Sequence, residues 1–178
     1  MCSSDLILNF VGCVEMPPKS EESWTAKFPW ENMKADFEGW HDDINTIIDL
    51  ANRDECYLWA LYKRPVNNAW SSARATILGD AAHATLPYLA QGAAMAIEDG
   101  AVLARALGQV DDIAEALQLY QRNRMERTAR VVDTSDANRK LFHLKNVDEI
   151  RESFAKRDEG GDRNAWLYSY NPLTVDLV

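Results

Sequence analysis

The strongest constraint in this chain is the stretch 77–107, ILGDAAHATLPYLAQGAAMAIEDGAVLARAL. A short β-branched run stops at Gly79-Asp80, a loop carries His83 and Pro87, and an alanine-rich helical pattern begins near Gly92. A strand tip that feeds a small-residue helix start belongs to an α/β arrangement, where ligands collect outside the carboxyl ends of strands. An ionised Asp80 only accepts hydrogen bonds, so it suits a ligand rich in hydroxyls. The first amides of a helix lack intrahelical partners and carry partial positive charge. With Gly92, Ala93 and Ala94 in that place, no bulky side chain keeps a planar, electron-rich group from those amides. Residue chemistry alone leaves other readings open. Asp80 can cap a helical turn, His83 can be a satisfied buried histidine, and the alanines can form a tight packing face.

Composition narrows the function classes. At 178 residues, 47% hydrophobic and 26% charged, the chain suits one globular domain with a real core. A net charge of −9 without a basic cluster argues against nucleic acid and anionic membranes as partners. Cys2, Cys13 and Cys56 have neither disulfide-framework nor metal-site spacing, which implies reduced thiols, a cytoplasmic setting and no metal centre. The run LILNFVGCV at 6–14 is preceded by Asp5 without Lys or Arg and interrupted by Asn9, unlike a secretion signal. Nothing approaches the roughly 20 apolar residues of a membrane span.

The pattern predicts strands over 5–15, 24–30, 56–63 and 75–78. A strand at residue 5 has no preceding partner in this sequence, which fits a chain that starts in mid-domain. Helices are expected over 31–52, 93–107 and 113–143, the last opened by an Asp112/Glu115 capping pair and broken near DTSDAN (133–138). From Lys145 onward the sequence reads as a charged tail that loops through Gly160-Gly161 to the aromatic group WLYSYNPL. Arg122, Arg124, Arg127 and Arg130, with Glu126 nearby, read as a solvated charged face rather than a phosphate site. Glu98 and Asp99 sit early in their helix, where they oppose its dipole, and adjacent positions do not make an acid/base pair. The six tryptophans read as core or interface anchors.

The segment 79–107 resembles the third flavin fingerprint of the single-component aromatic-ring hydroxylases, the FAD-dependent monooxygenases of the para-hydroxybenzoate and salicylate hydroxylase type. GDAAH (Gly79 to His83), Pro87, Gln91-Gly92-Ala93 and Glu98-Asp99 supply each part of that pattern, with Gly100 where alanine is usual. Arg64 before a proline, Trp70 and Arg74 resemble the family's approach to the fingerprint, and Tyr120, Arg124, Arg127 and Val131 its following helix. The resemblance implies that Gly79 and Asp80 bind the ribityl hydroxyls of FAD. It places Pro87 at the flavin's edge beside the substrate ring, and turns the amides of Gly92, Ala93 and Ala94 toward the N1–C2=O side of the isoalloxazine. His83 either approaches the substrate or braces the loop. The implied reaction is hydroxylation of a phenolic or carboxylated aromatic substrate with NAD(P)H and O2, its hard chemistry carried by the cofactor.

The GxGxxG turn that opens the family and grips the FAD pyrophosphate is not in the sequence, nor is the family's Asp-Gly fingerprint in its usual place. The expected architecture is therefore the C-terminal part of a flavoprotein hydroxylase, α/β in the intact fold and α+β as an isolated piece. Residues 1–63 would end the substrate-domain sheet and supply the helix after it, 64–145 would complete the FAD-binding domain, and 146–178 would form the tail. Alone, such a chain is expected to be inactive, with a missing N-terminal half as its partner. A non-catalytic helical remnant that binds another chain, and a flavoprotein of the same fold that does not hydroxylate, are the competing readings.

Overall fold

The computed structural model of the chain describes residues 8–16, 23–65, 67–158 and 164–178, and these are mostly helical. They belong to two units, Met1–Ala60 and Leu61–Val178.

In the first unit the helix expected over 31–52 is two helices, α1 (Trp30–Asp36) and α2 (Asp42–Leu50). The break follows from Gly39 at φ 80°, a left-handed turn open to glycine, and from His41, whose Nδ1 accepts the Asp43 amide at 3.2 Å and caps α2. Trp30, Phe37 and Ile48 form the core, with Phe10, Val14, Met33 and Ile44 packed against it. The Trp30 indole N–H donates to Ile48 O at 3.0 Å, so the buried ring is also satisfied as a donor. The strands predicted over 24–30 and 56–63 shrink to one antiparallel bridge, Lys27 to Tyr57. Hydrogen bonds from Phe28 N to Cys56 O and from Leu58 N to Ala26 O flank it. Residues 8–15 of the strand predicted over 5–15 form no strand, and its first residues lie outside those described. A strand is completed only by neighbours, and here each segment finds at most one.

The second unit is built on α4 (Gly92–Gln109) and α5 (Ile113–Phe142), preceded by the short α3 (Asp80–His83) and followed by α6 (Val147–Asp158) and α7 (Ala165–Tyr168). Asp112 caps α5 by accepting the Glu115 amide at 2.9 Å. Trp70, Val102, Ala106, Leu119, Tyr120 and Leu177 make its main core. The strand predicted over 75–78 is a tight reversal with a single bridge, Ser71 to Thr76. Gln121 Oε1 holds that reversal by accepting the amides of Trp70 and Ser71 at 3.0 and 2.8 Å.

Two expectations about the second half are corrected. The helix does not break at 133–138, because Ser135, Asp136 and Asn138 find partners off the helix and Thr134 bonds back to Arg130 O within it. Ser135 Oγ donates to Leu86 O at 2.6 Å, Asn138 Nδ2 to Tyr88 O at 3.1 Å, and Asp136 pairs with Lys63 at 3.0 Å. The tail from Lys145 holds a twelve-residue helix, α6, while Gly160-Gly161 lies outside the described residues. Trp30 and Trp70 are buried as anchors. Trp24, Trp40 and Trp59 are exposed, with Trp24 and Trp59 in edge contact at 5.6 Å.

Candidate functional site

Gly79 and His83 meet at one buried carboxylate, that of Asp99. Gly79 has φ 58° and ψ −143°, a conformation open to glycine, and a Cβ there would lie 3.3 Å from Ala96 Cβ. Its amide donates to Asp99 Oδ2 at 2.9 Å. The same oxygen meets His83 Nε2 at 2.6 Å, and Asp99 Oδ1 accepts from Arg124 Nε at 2.7 Å. Asp99 is wholly buried. Burial pushes its carboxyl pKa up, but the His83 ring, the Gly79 amide and the Arg124 guanidinium outweigh that and hold it below its ordinary value. A carboxylate only accepts, so His83 Nε2 carries the hydrogen of that bond.

The cluster continues outward. Arg124 Nη2 donates to Glu98 Oε2 at 2.7 Å, and Arg127 clasps both Glu98 oxygens at 2.7 and 2.8 Å. Burial raises the Glu98 pKa, yet bonds from Arg127 and Arg124 bring it net below its ordinary value. Arg127 also stacks on Tyr170 and Arg130 on Trp166, each 3.9 Å from the ring centre. The reading of these arginines as a solvated face is therefore overturned at Arg124, which is fully buried, and at Arg127, which is nearly so. Glu98 and Asp99 are the counter-charges of these arginines, which is more than a response to the helix dipole. The signal was in the sequence: Arg124 occupies one stripe with Leu117, Tyr120, Val131 and Ser135, and an arginine inside a buried stripe must be paired.

The cluster does not engage the other residues singled out in this stretch. Asp80 is exposed at the first position of α3, and its carboxylate has no hydrogen bond or ion pair among the described residues. No side chain caps α4, whose first turn contains no acid, and Gly92 and Ala94 are half-buried while Ala93 is exposed. Pro87 is exposed at the head of a 3₁₀ turn, Pro87–Leu89, that ends in a left-handed Ala90 at φ 53°. Ser135 and Asn138 pin this loop through Leu86 O and Tyr88 O. His83 is buried beside Trp70, with ring centres 5.5 Å apart, and braces the turn. It lines a cavity of about 10 Å³ with Arg64, Trp70 and Thr128, and its Nδ1 has no partner among the described residues. Burial pushes the Tyr120 phenol up, so it stays a neutral donor to Ile77 O at 3.2 Å, just before the turn. Among the described residues no group of histidines, cysteines or acids could hold a metal ion.

With this geometry in place, the similarity to known proteins is specific. Residues 7–135 match the FAD binding domain family, FAD_binding_3. The chain belongs to this family. Among its relatives, 6-hydroxynicotinate 3-monooxygenase of Pseudomonas fluorescens is 41% identical over 88% of this chain and 38% of that enzyme. The 3-amino-4-hydroxybenzoate 2-monooxygenase PtnB3 of Streptomyces platensis is 36% identical over 95% of this chain and 43% of that enzyme. A salicylate hydroxylase in complex with its substrate has the same fold, with a TM-score of 0.71 at 24% identity over 89% of this chain and 39% of the other. CtdE, solved with FAD and a substrate, gives a TM-score of 0.68 at 26% identity over the same shares. The chain therefore spans less than half the length of each of these proteins. Among the described residues no helix is long and apolar enough to cross a membrane.

Proposed function

We propose that this chain is the C-terminal part of an FAD-dependent aromatic monooxygenase, and that residues 79–94 hold the ribityl chain and ring of the flavin. The observation that carries the reading is a division of labour within one turn. Asp99, His83 and Arg124 fix its buried side, while the Asp80 carboxylate and the amides at the start of α4 are left without side-chain partners. Those free groups fit the cofactor: an acceptor for ribityl hydroxyls, and donors for an electron-rich ring edge.

When bound, the flavin supplies the redox chemistry of oxygen insertion, with NAD(P)H as reductant. The chain's own residues bind and orient. Gly79 lets the turn lie against α4, Asp80 accepts hydrogen bonds from the ribityl hydroxyls, and the amides of Gly92, Ala93 and Ala94 stabilise negative charge at the ring edge. Pro87 shapes the edge next to a phenolic or carboxylated aromatic substrate. His83, assigned at the sequence level either to the substrate side or to the loop, acts here through the loop by holding the turn that presents Asp80. The extended segments at 8–16, 26–28 and 56–58 belong to a sheet that further chain completes. In the same reading residues 1–63 close the substrate domain, 64–145 close the FAD-binding domain and 146–178 are its tail. The unpaired thiols of Cys13 and Cys56 suit a cytoplasmic enzyme.

The test joins this chain to an N-terminal segment that carries the pyrophosphate-binding turn. The expected product is yellow and oxidises NAD(P)H faster when a hydroxylated or carboxylated aromatic is added. Asp80→Ala should weaken FAD binding at least about tenfold, the loss of one good hydrogen bond to a charged acceptor. Equal FAD affinity in the variant and the parent would remove Asp80 from the site. Stoichiometric flavin on residues 1–178 alone would show that the missing segment is not required.

A further inference from the structure

The 3₁₀ turn Pro87–Leu89 closes on a strained residue. Ala90 follows it at φ 53°, in the left-handed region that L-residues resist, and no other described non-glycine residue has a positive φ. Such a conformation persists only where contacts from outside over-determine it. Here they come from the end of α5, where three side chains reach the turn. Ser135 Oγ donates to Leu86 O at 2.6 Å, and Asn138 Nδ2 donates to Tyr88 O at 3.1 Å. His143, the residue that ends the helix, has its Nε2 2.9 Å from the Tyr88 hydroxyl. The first two hold backbone and the third holds a side chain. Phe142 and His143 flank the Tyr88 ring, with ring centres 6.1 and 5.9 Å away. Leu89 meanwhile packs against Met95, Val131 and Leu167. Tyr88 and His143 are both half-buried, so their bond adds direction more than it rescues a buried polar group.

We propose that His143 is a positioning residue for the aromatic substrate: through the Tyr88 phenol it fixes where Pro87 stands. The inference rests on the function proposed above, which sets Pro87 beside the substrate ring, and it names what holds Pro87 still. The proline ring locks its own φ, and Leu86 O and Tyr88 O on either side are tied to α5. The freedom left to Pro87 is rotation of the turn as a body about those two bonds. The apolar packing of Leu89 opposes that rotation only without direction. The Tyr88–His143 contact supplies a third directed point, and three points fix a body that two leave free to turn. His143 touches neither substrate nor flavin in this scheme, and its effect runs through the turn. Without it both backbone bonds and the Leu89 packing remain, so the unit stays folded while the substrate edge loosens.

The experiment has two arms. Both compare the parent with His143→Leu, which fills similar space but cannot bond a hydroxyl, and with His143→Gln, whose side-chain amide can. In the 178-residue chain the readout is hydrogen exchange at the Ala90 amide, which donates to Pro87 O at 3.0 Å and so reports on the turn. His143→Leu should speed that exchange about fivefold, the loss of one ordinary hydrogen bond, and leave the amides within α4 and in α5 up to Arg124 unchanged. His143→Gln should return it to within about twofold of the parent. Tyr88→Phe should match the leucine variant, with no further change when the two are combined. In the protein joined to its N-terminal segment, His143→Leu should raise the KM for the aromatic and lower the hydroxylated product formed per NAD(P)H oxidised, at unchanged FAD affinity. His143→Gln should restore both. Parent-like exchange at Ala90 in the leucine variant overturns the proposal. Faster exchange that glutamine fails to restore also overturns it, because His143 would then only fill space, and so does a change spread through α4 and α5. The two claims fail separately. A joined protein without FAD defeats the proposed function and the substrate role with it, and the exchange arm alone then upholds or overturns the hold of His143 on the turn. A yellow joined enzyme whose leucine variant keeps the parent's KM and product yield preserves that function and overturns the positioning.

Discussion

The two units handle their unpaired backbone in different ways. Among the described residues of Met1–Ala60 the extended segments share a single bridge, Lys27 to Tyr57, and a core cluster of three buried side chains carries two short helices. In Leu61–Val178 the long helices satisfy their own backbones. Side chains projecting from α5 then tie down the loops, Gln121 at 70–71, Ser135 at Leu86 and Asn138 at Tyr88. A helix completes itself from within its own sequence, whereas an extended segment depends on what lies beside it. The second unit can therefore afford an irregular turn at 79–91.

Substitutions at the two cores sharpen this contrast. Asp99→Ala should be the most damaging, about 3–5 kcal/mol in urea unfolding, because it strands Arg124 and His83 without their carboxylate. Ile48→Ala should cost about 2–4 kcal/mol, from a side chain with no exposed surface in the first unit's small core. An unchanged urea midpoint in either variant would break the account of its unit. Gly79→Ala follows at about 1–3 kcal/mol, since the φ of 58° and the nearby Ala96 resist a Cβ.

Acid should act mainly on the second unit. Asp136, bonded by Lys63 and Arg139, is held down to about 2, and Asp99 and Glu98 are also net lowered. Carboxyls depressed in the fold contribute stability above their unfolded value of about 4 and lose it as pH falls toward about 2. Melting followed from pH 6 to pH 2 should show that decline, and Asp136→Asn should flatten part of it. The smallest effect runs the other way. Gly100→Ala should stabilise the chain by about 0.5–1 kcal/mol, because its Cβ meets nothing and the helix gains propensity.

The sequence made the second unit more legible than the first for the same physical reason. The spacing of apolar residues located α4 and α5 almost to their ends, and Asp112 announced the start of α5. What failed depended on distant partners. Ser135 and Asn138 look like helix breakers until Leu86 and Tyr88 are beside them, and Arg124 and Arg127 look solvated until Glu98 and Asp99 arrive from another helix. Asp80, Pro87, Gly92 and Asp99 were all singled out by their pattern, but Asp99 was read only against the helix dipole and not as the carboxylate that holds Gly79, His83 and Arg124. The strands at 24–30 and 56–63 carried the right residues and lacked neighbours.

The anchoring of Gly79 also sets an order of events during synthesis. Its amide bonds a carboxylate 20 residues later, and that carboxylate is neutralised by a guanidinium 25 residues later still. On the ribosome the turn therefore emerges well before its fastenings, and it stays unshaped until the first half of α5, through Arg124, has been made and folded back. Pauses or rare codons between 80 and 124 would lengthen the interval in which this glycine turn is open to protease.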